Sequence, residues 1–226
     1  MTQPIPEREE ALHPETLNVL RQLSERPWAL DDYLAGSAAL TAYLGHRKVR
    51  DLDLMGYHRL SSPERRDLLQ DLLAIEPELK VETARDGYLF VRFPASRNHV
   101  GLRLFYYPYP LIDPEESLAG MSVASATDLG LMKLGAVTSR GSRKDFIDLF
   151  LLCRLIPLET LLDRAEEKFG HVRDFPLQAL KGLADVDAAR QDPMPTLEID
   201  LDWQEVENWL QSEVRDVARH RVGLDS

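Results

Sequence analysis

The chain has 226 residues, with 44% hydrophobic and 29% charged side chains and a net charge of −11, the composition of a globular protein long enough for one large core or two smaller lobes. Acid is in excess mainly beyond residue 113, where 13 basic side chains face 21 acidic ones, which excludes a general polyanion binder, so no DNA partner is expected. The lone Cys153 excludes an internal disulfide, and no apolar run approaches the roughly 20 residues of a membrane span.

Met1 to Glu10 carries two prolines and four charges where a targeting signal needs an apolar run. No targeting segment, no membrane partner and a cytoplasmic location are therefore expected. The first helix is predicted from Pro14 to about Ser24, with Leu17, Val19, Leu20 and Leu23 as its apolar stripe. Trp28 to Leu34 reads as a strand ending at a Gly-Ser turn, and Ala38 to Leu44 as the helix that follows. Asp51 to Leu54 is a second strand. Ser62-Pro63 reads as N-cap and first residue of a helix through Leu73. Val81 to Phe93 makes two strands around Asp86-Gly87, and Val100 to Tyr107 another.

The prediction is thus a mixed sheet of four or five strands with helices against it. Beyond Pro114 only helical periodicity is expected, with no further strand. Helices are predicted to open near residues 126 and 143, where Ser125 to Asp128 and Ser142 to Asp145 have capping-box spacing. Others cover Leu158 to Phe169, Pro176 to Ala184 and Trp203 to Arg219. The chain divides into residues 1–115, carrying the sheet, and 116–226, a helical part that completes the active site. The aromatic run Phe105 to Tyr109 and the stripe Trp203, Val206, Leu210 and Val217 are assigned to core packing; a partner-binding face is the alternative for the second.

The chemistry concentrates at Gly36-Ser37 and, after twelve intervening residues, Arg50-Asp51-Leu52-Asp53-Leu54. In a strand Asp51 and Asp53 point one way while Leu52 and Leu54 point into the core. Two carboxylates that close repel unless a cation lies between them, and hard oxygen ligands in small number suit Mg²⁺, or Mn²⁺. Gly36 permits close backbone approach, and amides from Ser37 onward open a helix, an anion site for the triphosphate of an NTP. The basic loop His46-Arg47-Lys48-Val49-Arg50 is either a phosphate contact or a solvated loop.

Lys133 forms a second focus. Its helical neighbours Leu129, Gly130, Ala136 and Val137 are uncharged, so the ammonium either snorkels or meets an anion in a pocket, such as a triphosphate. In Ser142 to Leu149, Asp145 falls where a side chain caps a helix, and is assigned to structure. Asp148, among Ile147, Leu149 and Leu151, is expected to hold a basic side chain such as Lys133 or to join the site; Lys144 is its ordinary helical partner. The six histidines never fall at i, i+3 or i, i+4, and no G-x-S-x-G elbow occurs, so neither zinc nor serine hydrolase chemistry is expected.

Gly36-Ser37, Leu44 to Arg47 with Asp51-Leu52-Asp53, Met132-Lys133-Leu134 and Arg140 to Leu149 together resemble the AbiEii/AbiGii family, which includes toxins of AbiE and MenT toxin–antitoxin systems. The resemblance covers about residues 28–155 and implies an α+β, DNA polymerase β-like nucleotidyltransferase fold. It implies that Asp51 and Asp53 bind Mg²⁺, that Gly36 and Ser37 grip the triphosphate, and that Lys133 and Asp148 complete the catalytic set. It further implies a nucleotide transferred to an acceptor hydroxyl, in some members the 3′ end of tRNA, and a cognate antitoxin as partner. The chain departs from polymerase-like transferases at a third carboxylate on a later strand, where it carries Arg103. A catalytically silent nucleotide- or protein-binding module, or phosphoryl transfer, are the alternative readings.

Overall fold

The structure, a computed structural model, describes residues 9–95 and 98–221, so most of the stretch read for a targeting segment lies outside the described residues. Pro14, whose missing N–H is no loss in a first helical turn, opens α1 (Pro14–Ser24), which buries Thr16, Val19, Leu20 and Leu23. The strand expected from Trp28 is shorter. Pro27–Asp31 forms a 3-10 turn and β1 covers only Asp32–Ala35. Proline has no N–H for a strand ladder and its fixed φ starts a helical turn, which explains the difference.

There follow α2 (Gly36–Leu44), β2 (Leu52–Gly56) and α3 (Ser62–Ile75). The N-cap of α3 is Ser61, one residue before the expected Ser62. Its side chain takes the Glu64 amide while Glu64 reaches back to the Ser61 amide, a reciprocal cap that Ser62 has no glutamate to complete. As expected, β3 (Lys80–Arg85) and β4 (Tyr88–Pro94) turn at Asp86-Gly87, and β5 (His99–Tyr106) comes next.

Two further strands, β6 (Glu116–Leu118) and β7 (Met121–Val123), correct the expectation that none lies beyond Pro114. Ala119 and Gly120 both have positive φ, 53° and 85°, the pair of left-handed residues that closes a two-residue hairpin. Among the described residues the strands form one mixed sheet of seven, in the order β3-β4-β5-β2-β1-β7-β6. The β2/β5 and β1/β7 pairs are parallel and the others antiparallel. Leu34, Leu52, Leu54 and Leu102 are fully buried at its centre, each contributing about 1.5–3 kcal/mol of hydrophobic burial.

The sheet belongs to one compact unit, the described residues to Tyr109 with Pro114–Ala124; Pro110–Asp113 and the described residues from Ser125 form another. The second unit is helical: α4 (Ala126–Ser139), α5 (Arg143–Cys153), α6 (Leu158–Phe169), α7 (Phe175–Ala184), α8 (Asp187–Gln191) and α9 (Trp203–Arg221). Within it α4 packs against α5, α6 and α7. Gly130 lets Leu161 approach, since a β-carbon there would lie 2.8 Å from the leucine side chain.

Asp128 and Lys168, both fully buried, pair at 2.8 Å. Asp128 also accepts the Ile112 and Asp113 amides, and Lys168 donates to the Pro110 carbonyl, so this pair anchors residues 110–113 within the helical unit. Its remaining polar atoms are satisfied, the condition for a buried pair to be tolerated. On α9, Val206, Leu210 and Val217 are buried, and Trp203 and Trp209 meet Phe146 and Phe150 edge-on. That is the core packing expected of the stripe.

Candidate active site

The sheet register decides what surrounds Asp51 and Asp53. Asp53 lies opposite Ala35 on β1 and opposite Arg103 on β5. Leu52, Leu54 and Leu102 face the core, so Asp51, Asp53, Gly101 and Arg103 share the other face. Gly36 has φ +60°, and a β-carbon on it would fall 2.2 Å from Asp53 Oδ2. Gly101 does the same for the other carboxylate: a β-carbon there would lie 2.5 Å from Asp51 Oδ1, which accepts the Gly101 amide at 3.3 Å. Each carboxylate therefore fits because a glycine stands beside it.

Helix α2 starts at Gly36, and its N-cap, Ala35, offers no side-chain cap. The first amides of α2 thus donate to no N-cap side chain and lie beside Asp53, at a helix N-terminus suited to an anion. Ser37 Oγ accepts from Arg47 Nη2 at 3.0 Å, and Arg47 Nε donates to His46 Nε2 at 3.0 Å. Of the basic loop, the buried Arg47 is the guanidinium held at the Gly-Ser turn. Lys48 reaches the Glu10 carbonyl and Arg50 pairs with Glu15.

A cation already spans the two carboxylates. Arg103 Nη2 lies 2.6 Å from Asp51 Oδ2 and Nη1 lies 3.2 Å from Asp53 Oδ1. The guanidinium also lies 4.7 Å from the centre of the Phe90 ring, its partner across β4. Burial works against the Arg103 charge, but the hydrogen bonds and charges of Asp51 and Asp53 outweigh it and raise its pKa above the usual value. The sequence singled out position 103 as departing from a carboxylate. Its ionic bond to both acids becomes visible only with the β2/β5 register.

Lys133 and Asp148 come together in the helical unit. Lys133 Nζ lies 2.7 Å from Asp148 Oδ2 and 3.0 Å from Asp145 Oδ1, and all three residues are buried. The expected anionic partner of Lys133 is thus a pair of α5 carboxylates. Asp145 corrects the sequence reading, because it is not a helix cap. It accepts from Lys133, from Arg140 through two nitrogens at 2.7 Å, and from the Ser142 hydroxyl. Burial would raise its pKa, but the Arg140 hydrogen bond and the Lys133 charge outweigh that and hold it well below the usual carboxylate range. The first amide of α5, that of Arg143, is taken instead by Asp192, 49 residues away.

The aromatic run Phe105 to Tyr109 is half-buried rather than core. Tyr106 lies under the Arg59 guanidinium, and with Trp28, Tyr88 and Phe105 it lines a cavity of about 390 Å³. The cavity also holds Asp32, at the opposite end of β1 from Ala35. Burial, aided by the neighbouring Asp31 charge and opposed by His58, pushes the Asp32 carboxyl from 3.8 up to about 6. A carboxyl raised on folding costs stability that grows as pH rises from the unfolded value of 3.8 to the folded value of about 6 and is full above it. Asp32→Asn should therefore raise the melting temperature at pH 8, with the gain vanishing near pH 4; equal gains at both pH values would contradict this.

A family model described as "Nucleotidyl transferase AbiEii toxin, Type IV TA system" matches residues 18–219. An uncharacterized protein of Aquifex aeolicus (strain VF5), aq_aa25, is 30% identical over 197 residues, covering 82% of this chain and 87% of that protein. The crystal structure of JHP933 from Helicobacter pylori has a TM-score of 0.56 at 20% identity, covering 92% of this chain and 94% of that one. MenT4, a nucleotidyltransferase toxin from Mycobacterium tuberculosis H37Rv, has a TM-score of 0.53 at 14% identity, covering 95% and 88%. At these identities the two structures share the fold: an α+β architecture with a mixed sheet.

Proposed function

Because the chain belongs to the AbiEii nucleotidyl transferase toxin family of type IV toxin–antitoxin systems, we propose that it moves NMP from an NTP to an acceptor hydroxyl, the 3′ end of a tRNA, with a divalent metal at Asp51 and Asp53. The observation that carries this reading is the pair of same-face carboxylates bridged by the Arg103 guanidinium beside the N-terminus of α2. The two acids fit a hard cation because they already converge on a guanidinium, and two carboxylates leave room for phosphate and water ligands. Mg²⁺ or Mn²⁺ bound there would neutralise charge on the phosphates.

The rest falls to the chain. The Ser37 hydroxyl and the first amides of α2 bind the triphosphate, and Gly36 lets the backbone come close enough to do so. Arg47, held on Ser37, adds a fixed positive charge there. The acceptor hydroxyl attacks the α-phosphorus in line and gives its proton to water, a new P–O bond forms, the bond to the β-phosphate oxygen breaks and pyrophosphate leaves. Within the helical unit, Asp145 and Asp148 fix the Lys133 ammonium in place. A cognate antitoxin is the protein partner. A cytoplasmic setting accords with the finding that, among the described residues, no helix is long and apolar enough to cross a membrane.

The test is incubation of the protein with total RNA, Mg²⁺ and each α-labelled NTP in turn. Label is expected at the 3′ end of a tRNA-sized RNA and should be lost when the metal is chelated. Label reaching the RNA from γ-labelled NTP in a parallel incubation, or no labelled macromolecule with any α-labelled NTP, would overturn the reading.

A further inference from the structure

Resting on the reading of Asp51 and Asp53 as the metal-binding pair, we propose that Arg103 is a built-in counter-cation that occupies this pair in the absence of nucleotide, so that metal enters together with the NTP rather than before it. The parallel register sets Arg103 directly beside Asp53, and the guanidinium fork spends one nitrogen on each acid, at 2.6 and 3.2 Å. Two carboxylates on one face of a sheet repel, and one positive charge between them removes most of that repulsion. A free divalent ion arriving at this site meets a positive charge already in place and has to displace two ion pairs. Arginine cannot give way by losing a proton, because its charge persists across the whole accessible pH range. The guanidinium must move.

The surroundings permit movement of the side chain but do not drive it. Arg103 is 28% exposed and Asp51 43% exposed, so one flank of the bridge meets solvent, while Phe90 supports the other. A triphosphate supplies what moves it. Several negative charges brought to the α2 amides give the guanidinium a competing partner and give the metal extra oxygen ligands at the same moment. Metal and nucleotide then bind cooperatively through one side chain that prefers different partners in the two states.

The experiment is Mn²⁺ titration of the full chain, read by the electron paramagnetic resonance of free Mn²⁺, with and without an NTP analogue carrying a non-cleavable α,β bridge. Wild type is expected to bind Mn²⁺ weakly alone and tightly with the analogue. Arg103→Met, which keeps the stem against Phe90, should bind Mn²⁺ alone about tenfold more tightly than wild type, the scale of a single lost charge repulsion at a half-exposed site. The dependence on nucleotide should shrink by the same factor. If Arg103→Met does not fold, as read by circular dichroism, Arg103→Gln should give the same direction of change. Equal Mn²⁺ affinity in variant and wild type, or weaker binding by the variant, overturns the counter-cation role and leaves the metal site standing. Absence of Mn²⁺ uptake by both proteins, with and without the analogue, overturns the metal assignment and this role with it.

Discussion

Asp51→Asn and Asp53→Asn are each expected to lower nucleotidyl transfer by about 10³-fold or more, the scale of losing an electrostatic contact made to the reacting phosphates. The stability expectation is different. From sequence alone, removing one of two close carboxylates relieves repulsion and stabilises the metal-free protein. In the structure Arg103 already neutralises that repulsion, so each variant exchanges an ion pair for a smaller repulsion. The Arg103–Asp51 pair is 28% and 43% exposed and the Arg103–Asp53 pair 28% and 19%, and partly exposed pairs contribute about 1 kcal/mol or less net. Both variants should melt within roughly 3 °C of wild type. Single-turnover rates and thermal melts on the same samples decide it, and wild-type turnover in either variant would remove the metal assignment.

Lys133→Met carries the largest expected stability loss, about 3–5 kcal/mol, because it strips the ammonium from two buried carboxylates. Asp145 keeps Arg140 and Ser142, so the damage should fall mainly on Asp148. The loss should depend on pH in a definite direction. Asp145 has a depressed pKa, so its contribution is present above the unfolded value of about 3.9 and fades as pH falls through the folded value. The gap between wild type and Lys133→Met should therefore narrow below about pH 4. Adding Asp148→Leu to Lys133→Met should recover a good part of the loss, since removing both members of a buried pair is tolerated better than removing one. Denaturant melts of the two single variants and the double variant test this. A Lys133→Met protein within about 1 kcal/mol of wild type would refute it.

Asp145 and Asp148 hold one ammonium, so the sequence-based division into a cap and a site residue has lost its structural basis. Asp145 lies three residues after Ser142, the spacing of a cap, but its carboxylate is drawn to full charges rather than to helix amides. A buried lysine and an arginine outcompete a backbone N–H for the same oxygens.

Local rules made much of the molecule legible without coordinates. Pro14 starts α1, the Asp86-Gly87 turn joins β3 to β4, alternation marks β5, and helical periodicity outlines α4 to α7 and α9. The same is true of Gly36, Ser37, Asp51 and Asp53, because a glycine turn before a helix and acids two apart on a strand are patterns written within a few residues. Strands β6 and β7 escaped notice because three residues are too few to show a period. What the sequence by itself determined is the set of local devices: where turns fall, which face of β2 carries acid, and that Lys133 sits on an apolar helix stripe. What only the tertiary structure decided is which distant charges meet: Arg103 on Asp51 and Asp53, Arg47 on Ser37, Asp192 on the first amide of α5, and Lys133 on Asp145 and Asp148. The physical reason is that a side chain's local pattern sets its direction, whereas its partner is set by strand register and helix packing between segments up to about fifty residues apart.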